Sequence, residues 1–299
     1  MDFAYELNQA SGLDLEACSC VCHRWEAGFP MALDNGESWI VDFHGDDNLV
    51  ERQVPALFTG LWRSATGVVF AAHRGGRMFR RPALGEPWSI FQLADSLYGV
   101  WGLSDDHVYA WGLVAGDHAM FHYDGESWSR MEAPPSSVVS IHGLAPDLLM
   151  AVGDRGMICS WNGRSWTRTH SPIRTALSSV FVVSASEMYA CGPSDHTLLE
   201  GSAYGWAPIL HAGFPLHAVA KFAGKIWVAA GVNGLYTLDE NHQLARAETD
   251  LTPLKFDARG TLIISAIDRV AHTPDGVEFD WFRVEGVMDL VDQVQPCFY

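Results

Sequence analysis

Between Leu97 and Trp166 the chain lays down one pattern of apolar and polar positions twice. The first copy runs Leu97-Tyr-Gly-Val-Trp-Gly-Leu-Ser-Asp-Asp-His-Val-Tyr-Ala-Trp-Gly112, then Ala119-Met-Phe-His-Tyr-Asp-Gly-Glu-Ser-Trp128. The second runs Val138-Val-Ser-Ile-His-Gly-Leu-Ala-Pro-Asp-Leu-Leu-Met-Ala-Val-Gly153, then Met157-Ile-Cys-Ser-Trp-Asn-Gly-Arg-Ser-Trp166. Each copy holds four short apolar runs broken by Gly, Asp or Asn. Runs of this length between such breakers predict strands joined by tight turns.

The tryptophan after each Asp/Asn-Gly turn carries the period along the chain. Trp39, Trp88, Trp128, Trp166 and Trp206 follow one another at 49, 40, 38 and 40 residues. Two weaker copies, around Leu244 and Phe279, complete seven units. Four strands repeated about every forty residues predict an all-β, seven-bladed β-propeller of four-stranded antiparallel blades. A blade is too small to be stable alone, and stacking blades around an axis buries both of its faces. The expected blades are 57–95, 96–135, 136–173, 174–213, 214–250 and 251–286, with a first blade from 18–48 plus 287–294. Residues 1–17 are expected to be irregular, packing across the ring or running as a short strand, and 45–55 to be a surface loop. The tail Val287-Met-Asp-Leu-Val-Asp-Gln-Val294 is patterned like an innermost strand. It is therefore expected to pair with the N-terminal blade and close the ring, so that no sheet edge stays open.

The turns themselves have a physical logic. Gly supplies positive φ, Asp or Asn tolerates the left-handed region, and the Ser hydroxyl can bond back. The Trp then starts the outer strand and packs between blades. Asp124-Gly-Glu-Ser-Trp128, Asn162-Gly-Arg-Ser-Trp166 and Asn35-Gly-Glu-Ser-Trp39 look like shortened Asp-box turns, and Val152-Gly-Asp-Arg-Gly-Met-Ile158 looks like the inner hairpin of the same group. Over nearly its whole length the chain thus resembles seven-bladed propellers of the WD40, YVTN and BNR-like (Asp-box) group. That resemblance implies a fold and says little about function, because the Asp-box is a structural turn. Phe79-Arg-Arg-Pro82 faintly resembles a substrate-binding segment of Asp-box sialidases. It departs at the third position and falls late in the second blade, which counts against that activity.

Composition narrows the function. Nineteen basic residues against 36 acidic give a formal net charge of −17. Nucleic-acid binding needs a basic footprint, so no nucleic-acid partner is expected. An acidic surface keeps a protein soluble and speeds encounter with basic partners. No run approaches the ~18 apolar residues that span a bilayer, and no basic, apolar leader follows Met1, so a cytoplasmic protein without a membrane partner is expected. Cys18, Cys20 and Cys22 share one strand face, but Cys18 and Cys22 would lie roughly 13 Å apart, too far for one ion. Small buried hydrophobes are expected there. No metal and no cofactor is expected.

The loops between second and third strands should open on one face with the blade-to-blade linkers. Read in turn they offer His23-Arg24, His73-Arg74, Asp117-His118, Asp154-Arg155, Asp195-His196, Val232-Asn233 and Ile267-Asp268. The candidate binding residues at the ring mouth are therefore His73, Arg74, Asp117, His118, Asp154, Arg155, Asp195, His196 and Asp268. Turn propensity alone accounts for Asp154-Arg-Gly156, but not for histidine in four of these hairpins. No catalytic set is assigned. The expected function is a non-catalytic, protein-binding propeller, in its specific form an immunity protein that neutralises a basic toxin. An assembly factor or scaffold of the same fold, and a small-molecule hydrolase or lyase working at the ring mouth, are the alternatives.

Overall fold

In the computed structural model, which describes residues 3–27, 36–44, 47–55, 57–247, 250–283 and 285–288, seven four-stranded antiparallel sheets form a propeller. Blade one holds β1 (Phe3–Gly12), β2 (Cys18–Glu26), β3 (Gly36–His44) and β4 (Asp47–Pro55), from the axis outward. Blades two to seven span 58–92, 96–131, 138–168, 179–211, 218–246 and 253–283. Each blade is built from one continuous stretch of chain.

Blade one corrects the expectation in three ways. Its innermost strand is Phe3–Gly12, so the N-terminal segment, and not 287–294, fills that place. The expected loop at 45–55 is instead largely the outer strand β4, paired with β3. Trp39 therefore lies on the third strand and not the fourth. The cause is a shifted phrase: Asp/Asn-Gly-x-Ser-Trp leads into the fourth strand in blades three and four, but runs into the third strand here. Of the tail, residues 285–288 form a helical turn, with Val287 fully buried against Leu7 and Cys20. Residues 289–294 lie outside the described residues. Cys18, Cys20 and Cys22 pack into the same apolar cluster, and burial pushes the Cys18 thiol up to about 12.

Elsewhere the pattern folds as read. Asp124 Oδ1 accepts hydrogen bonds from the amides of Glu126 (3.0 Å) and Ser127 (2.8 Å), and Asn162 Oδ1 does the same for Arg164 and Ser165, at 3.0 Å each. Trp166 and Trp206 are buried, whereas Trp88 and Trp128 are half-buried at the outer rim. Trp128 still packs between blades, edge-on to Phe70 of blade two at 6.1 Å. Crowding at the axis is severe. A Cβ on Gly60 would meet the Gly99 backbone at 2.8 Å, and one on Gly99 would meet the Trp111 ring at 2.2 Å. Small hydroxyls there also bridge blades: Thr59 Oγ1 donates to Leu97 O (2.9 Å), and Ser179 Oγ accepts from Val219 N (3.2 Å).

The seam where the last blade meets the first is held by side chains. Leu7 N donates to Ile267 O (3.1 Å) and Ala10 N to Ser265 Oγ (2.8 Å). Ser11 Oγ donates to Asp257 Oδ2 (2.6 Å), which Arg259 also binds, and Thr261 Oγ1 donates to Leu13 O. The network continues into blade two. Arg63 N donates to Ser11 Oγ (2.9 Å) and Arg63 Nη1 to Ser19 Oγ (3.3 Å). Ser19 Oγ and Arg81 both donate to the fully buried Asp42.

Two interior histidines give this core a pH dependence. His23 Nε2 donates to Phe58 O at 3.0 Å, and burial pulls its pKa down to about 4. His142 keeps part of its ring open to the central channel, yet protein encloses it and burial again lowers its pKa to about 4. Between that value and the ordinary 6.5 the unfolded chain binds more protons than the folded one. Stability should therefore fall as pH drops from 6.5 toward 4. Urea unfolding at neutral and acidic pH checks this, and His23→Gln should flatten the slope.

Candidate interaction surfaces

The ring presents two faces and a channel. One face carries the hairpins between second and third strands, tied to the blade linkers by Arg74 N→Leu57 O (2.9 Å), Asp154 N→Ser137 O (3.2 Å) and Ala212 N→His196 O (2.9 Å). The other carries the turns between first and second strands and those between third and fourth. The channel, about 840 Å³, is lined by the innermost strands.

The nine predicted residues all lie at hairpins of the first face, but none lines the channel. His73 is buried; its Nδ1 accepts from Gly75 N (3.0 Å) and its ring packs edge-on against Phe58 and Phe79. The Arg74 guanidinium lies 5.6 Å over Tyr98, which shares a small cleft with the exposed His118. Arg74, Tyr98 and His118 are thus one sector; the other seven predicted residues are not drawn into it. Asp117, Asp154 and Arg155 are exposed. Asp195 accepts from Thr175 Oγ1 (2.6 Å), His196 stacks on His211 at 6.0 Å, and Asp268 pairs with Arg269 (2.5 Å). Arg155 and His196 both have φ of 56°, the left-handed backbone of tight turns. His23 differs from the rest, because it is interior to β2. Exposed acids on this face are interspersed with exposed bases, Arg155 and Arg174 among them.

Hairpin composition gave no sign of the channel wall. Blades three to five contribute Trp101, His142 and Phe181, with ring centroids 5.4 Å apart for the first pair and 4.3 Å for the second. His142 Nδ1 accepts from Val182 N (3.1 Å), so its Nε2 carries the proton. The opposite wall is charged. Lys255 Nζ reaches Asn8 Oδ1 (2.9 Å), with burial lowering its pKa to about 8, and Arg259 pairs with Asp257 (2.5 Å). At the turn-face end the wall of blades three to five is apolar: Leu103, Leu144 and Val183 are its last positions before their turns. The repeat does contain that signal, as Gly102-Leu-Ser-Asp-Asp106 against Gly143-Leu-Ala-Pro-Asp147.

The turn face is the acidic one. Asp106, Asp124, Glu126 and Asp147 are exposed on blades three and four, and Arg164 is the exposed base among the described turns there. Asp106 accepts from Ser104 Oγ (2.6 Å), and the Ser127 and Glu126 amides hold Asp124; these bonds keep both carboxyls below the usual range, hence ionised. Lys221 on this side is paired with Glu187 (2.5 Å).

Known proteins can be set beside this geometry. No family model matches the chain. It is 28% identical over 150 residues to the immune protein Tsi7 of Pseudomonas aeruginosa, a match covering 46% of this chain. The chain spans about half of that relative, 47% of its length. In structure it is similar to the WD40 β-propeller domain of Doa1, with a TM-score of 0.69 at 10% identity over 91% of this chain and 93% of that one. The RRP9 WD40 repeats give 0.63 at 12%, over 89% and 90%. YCF48 bound to D1 peptide gives 0.56 at 14%, over 76% and 81%. The fold is a WD40-like seven-bladed propeller. No helix among the described residues is long and apolar enough to cross a membrane.

Proposed function

We propose that this chain is a cytoplasmic immunity protein, a non-catalytic propeller that binds and neutralises a basic toxin. The observation that carries the reading is the sequence likeness to an immune protein, Tsi7. The net charge of −17 supports a basic partner, because opposite charge speeds encounter and disfavours wrong partners. Asp117, Asp154 and Asp195 contribute to that field from the hairpin face, with Arg74 and His118 as contacts beside them.

The test starts from immobilised chain in extract of its source cells at low salt. A basic protein should be retained and should elute as ionic strength rises, since attraction between exposed charges is screened over ~8 Å at physiological salt. Expressed alone, that protein should arrest growth, and co-expression with this chain should restore it. Retention of no basic protein, or of one that is harmless when expressed, overturns the reading.

A further inference from the structure

The channel has two mouths of different character. At the hairpin face it is lined by Tyr98, Ser178 and His217 beside Val139, under a rim of mixed charge. At the turn face its last lining positions on blades three to five are Leu103, Leu144 and Val183, with Trp62, Lys221 and Arg259 lining that end on other blades. Leu144 is 50% exposed, although it belongs to the innermost strand of blade four. The two bases at this rim are spoken for, Lys221 by Glu187 and Arg259 by Asp257.

The acids stand next to these apolar positions by chain connectivity. Asp105 and Asp106 follow Leu103 directly after Ser104, and Asp147 comes three residues after Leu144. The outer turns stack on them. A Cβ on Gly125 would lie 3.1 Å from Asp106 Cβ, and one on Gly163 the same distance from Asp147 Cβ. Asp124 and Glu126 therefore extend the field outward from Asp106. An apolar centre within a charged rim is the anatomy of a protein-binding hot spot, and a cavity of about 840 Å³ is within the range that takes ligand side chains.

We infer that the turn-face mouth of the channel is the docking surface for a basic protein segment, which seats an apolar side chain between Leu103, Leu144 and Val183 while flanking lysines or arginines meet Asp106, Asp124, Glu126 and Asp147. Charge complementarity selects this occupant: an acidic or neutral segment would leave the rim carboxylates unanswered. The inference rests on the neutralisation reading for the identity of the partner, but the surface is tested separately. It moves the principal contact from the hairpin face to the opposite one.

The probe is a fluorescein-labelled octapeptide of two leucines between two runs of three lysines, with binding followed by anisotropy. The wild-type chain should bind it, more weakly as salt rises. A peptide with serines in place of the leucines should bind about tenfold worse, the loss expected for one buried aliphatic side chain. Leu144→Ser should cost about tenfold, and Asp106→Asn with Asp147→Asn should flatten the salt dependence. Glu132→Gln, at an exposed linker position on the hairpin face, should stay within about twofold of wild type. Leu144 is half exposed, so melting temperature serves as the check that the variants fold. Equal binding of the serine peptide, an unaffected Leu144→Ser variant, or no binding overturns the inference. Peptide docking at the mouth without any toxic partner leaves the surface standing and removes the neutralisation reading. A toxic partner indifferent to Leu144→Ser and to both Asn substitutions removes the surface and leaves neutralisation in place.

Discussion

Asp42→Ala should cost about 3–5 kcal/mol of stability, among the largest losses a single substitution can produce here. Asp42 is fully buried and accepts from Ser19 and Arg81, with Arg63 Nη1 3.5 Å away. Removing its carboxylate takes from the interior the acceptor that Ser19 and Arg81 share and the negative charge 3.5 Å from Arg63 Nη1. The attraction between the members of such a cluster barely exceeds the loss of hydration when all are present. With this acid absent, part of that attraction is lost while the desolvation cost of the buried groups remains. Chemical denaturation of the variant beside Asp42→Asn measures it; the amide should recover part of the loss by keeping an acceptor for Ser19. A loss under about 1 kcal/mol would mean that the cluster contributes little to holding blades one and two together.

Deleting residues 1–12 should prevent the chain from folding as a monomer. The deletion removes β1 and with it the buried side chains of Leu7 and Ala10, the Ser11 hydroxyl that links Asp257 to Arg63, and the bond from Leu7 N to Ile267 O. It also strips the inner edge of β2, whose backbone donors and acceptors then face solvent in the channel. An open edge of that kind invites pairing with other chains. Size-exclusion chromatography should show aggregates, and the cooperative melt should disappear. A monomer with an unchanged melting temperature would show that the seam needs no strand there.

Blade number and strand order were legible because the repeat is enforced locally. Every Asp/Asn-Gly turn needs its own backbone conformation, and every following strand needs its own apolar face, so Trp88, Trp128, Trp166 and Trp206 keep a steady count. Blade one was misread because Asn35 to Trp39 repeats the phrase one strand earlier, and a single sequence offers no second copy of the frame to expose the slip. Assigning the tail to the ring closure followed from that slip. With the first blade beginning at Cys18, one strand is missing, and 287–294 has a pattern to supply it. The site was less legible. Hairpin residues could be placed on a face from their spacing, and they do lie there. Charge distribution between faces depends on which acids are paired and which are exposed, and neither follows from spacing. Asp268, Asp257 and Glu187 are all carboxylates in or beside turns, yet each is matched by a cation, whereas Asp106 and Asp147 are exposed.

Among the described residues, no strand is lent from one blade to another across the seam between 253–283 and 3–55. Each blade is thus a module in the genetic sense as well as the mechanical one. A duplication or loss of some forty residues, cut at any linker, would change the circumference of the ring without stranding half a sheet. A ring whose first blade borrowed its inner strand from the far end of the chain could not be edited in this way. In this lineage, the width of the channel is open to change by gene rearrangement, one whole sector at a time.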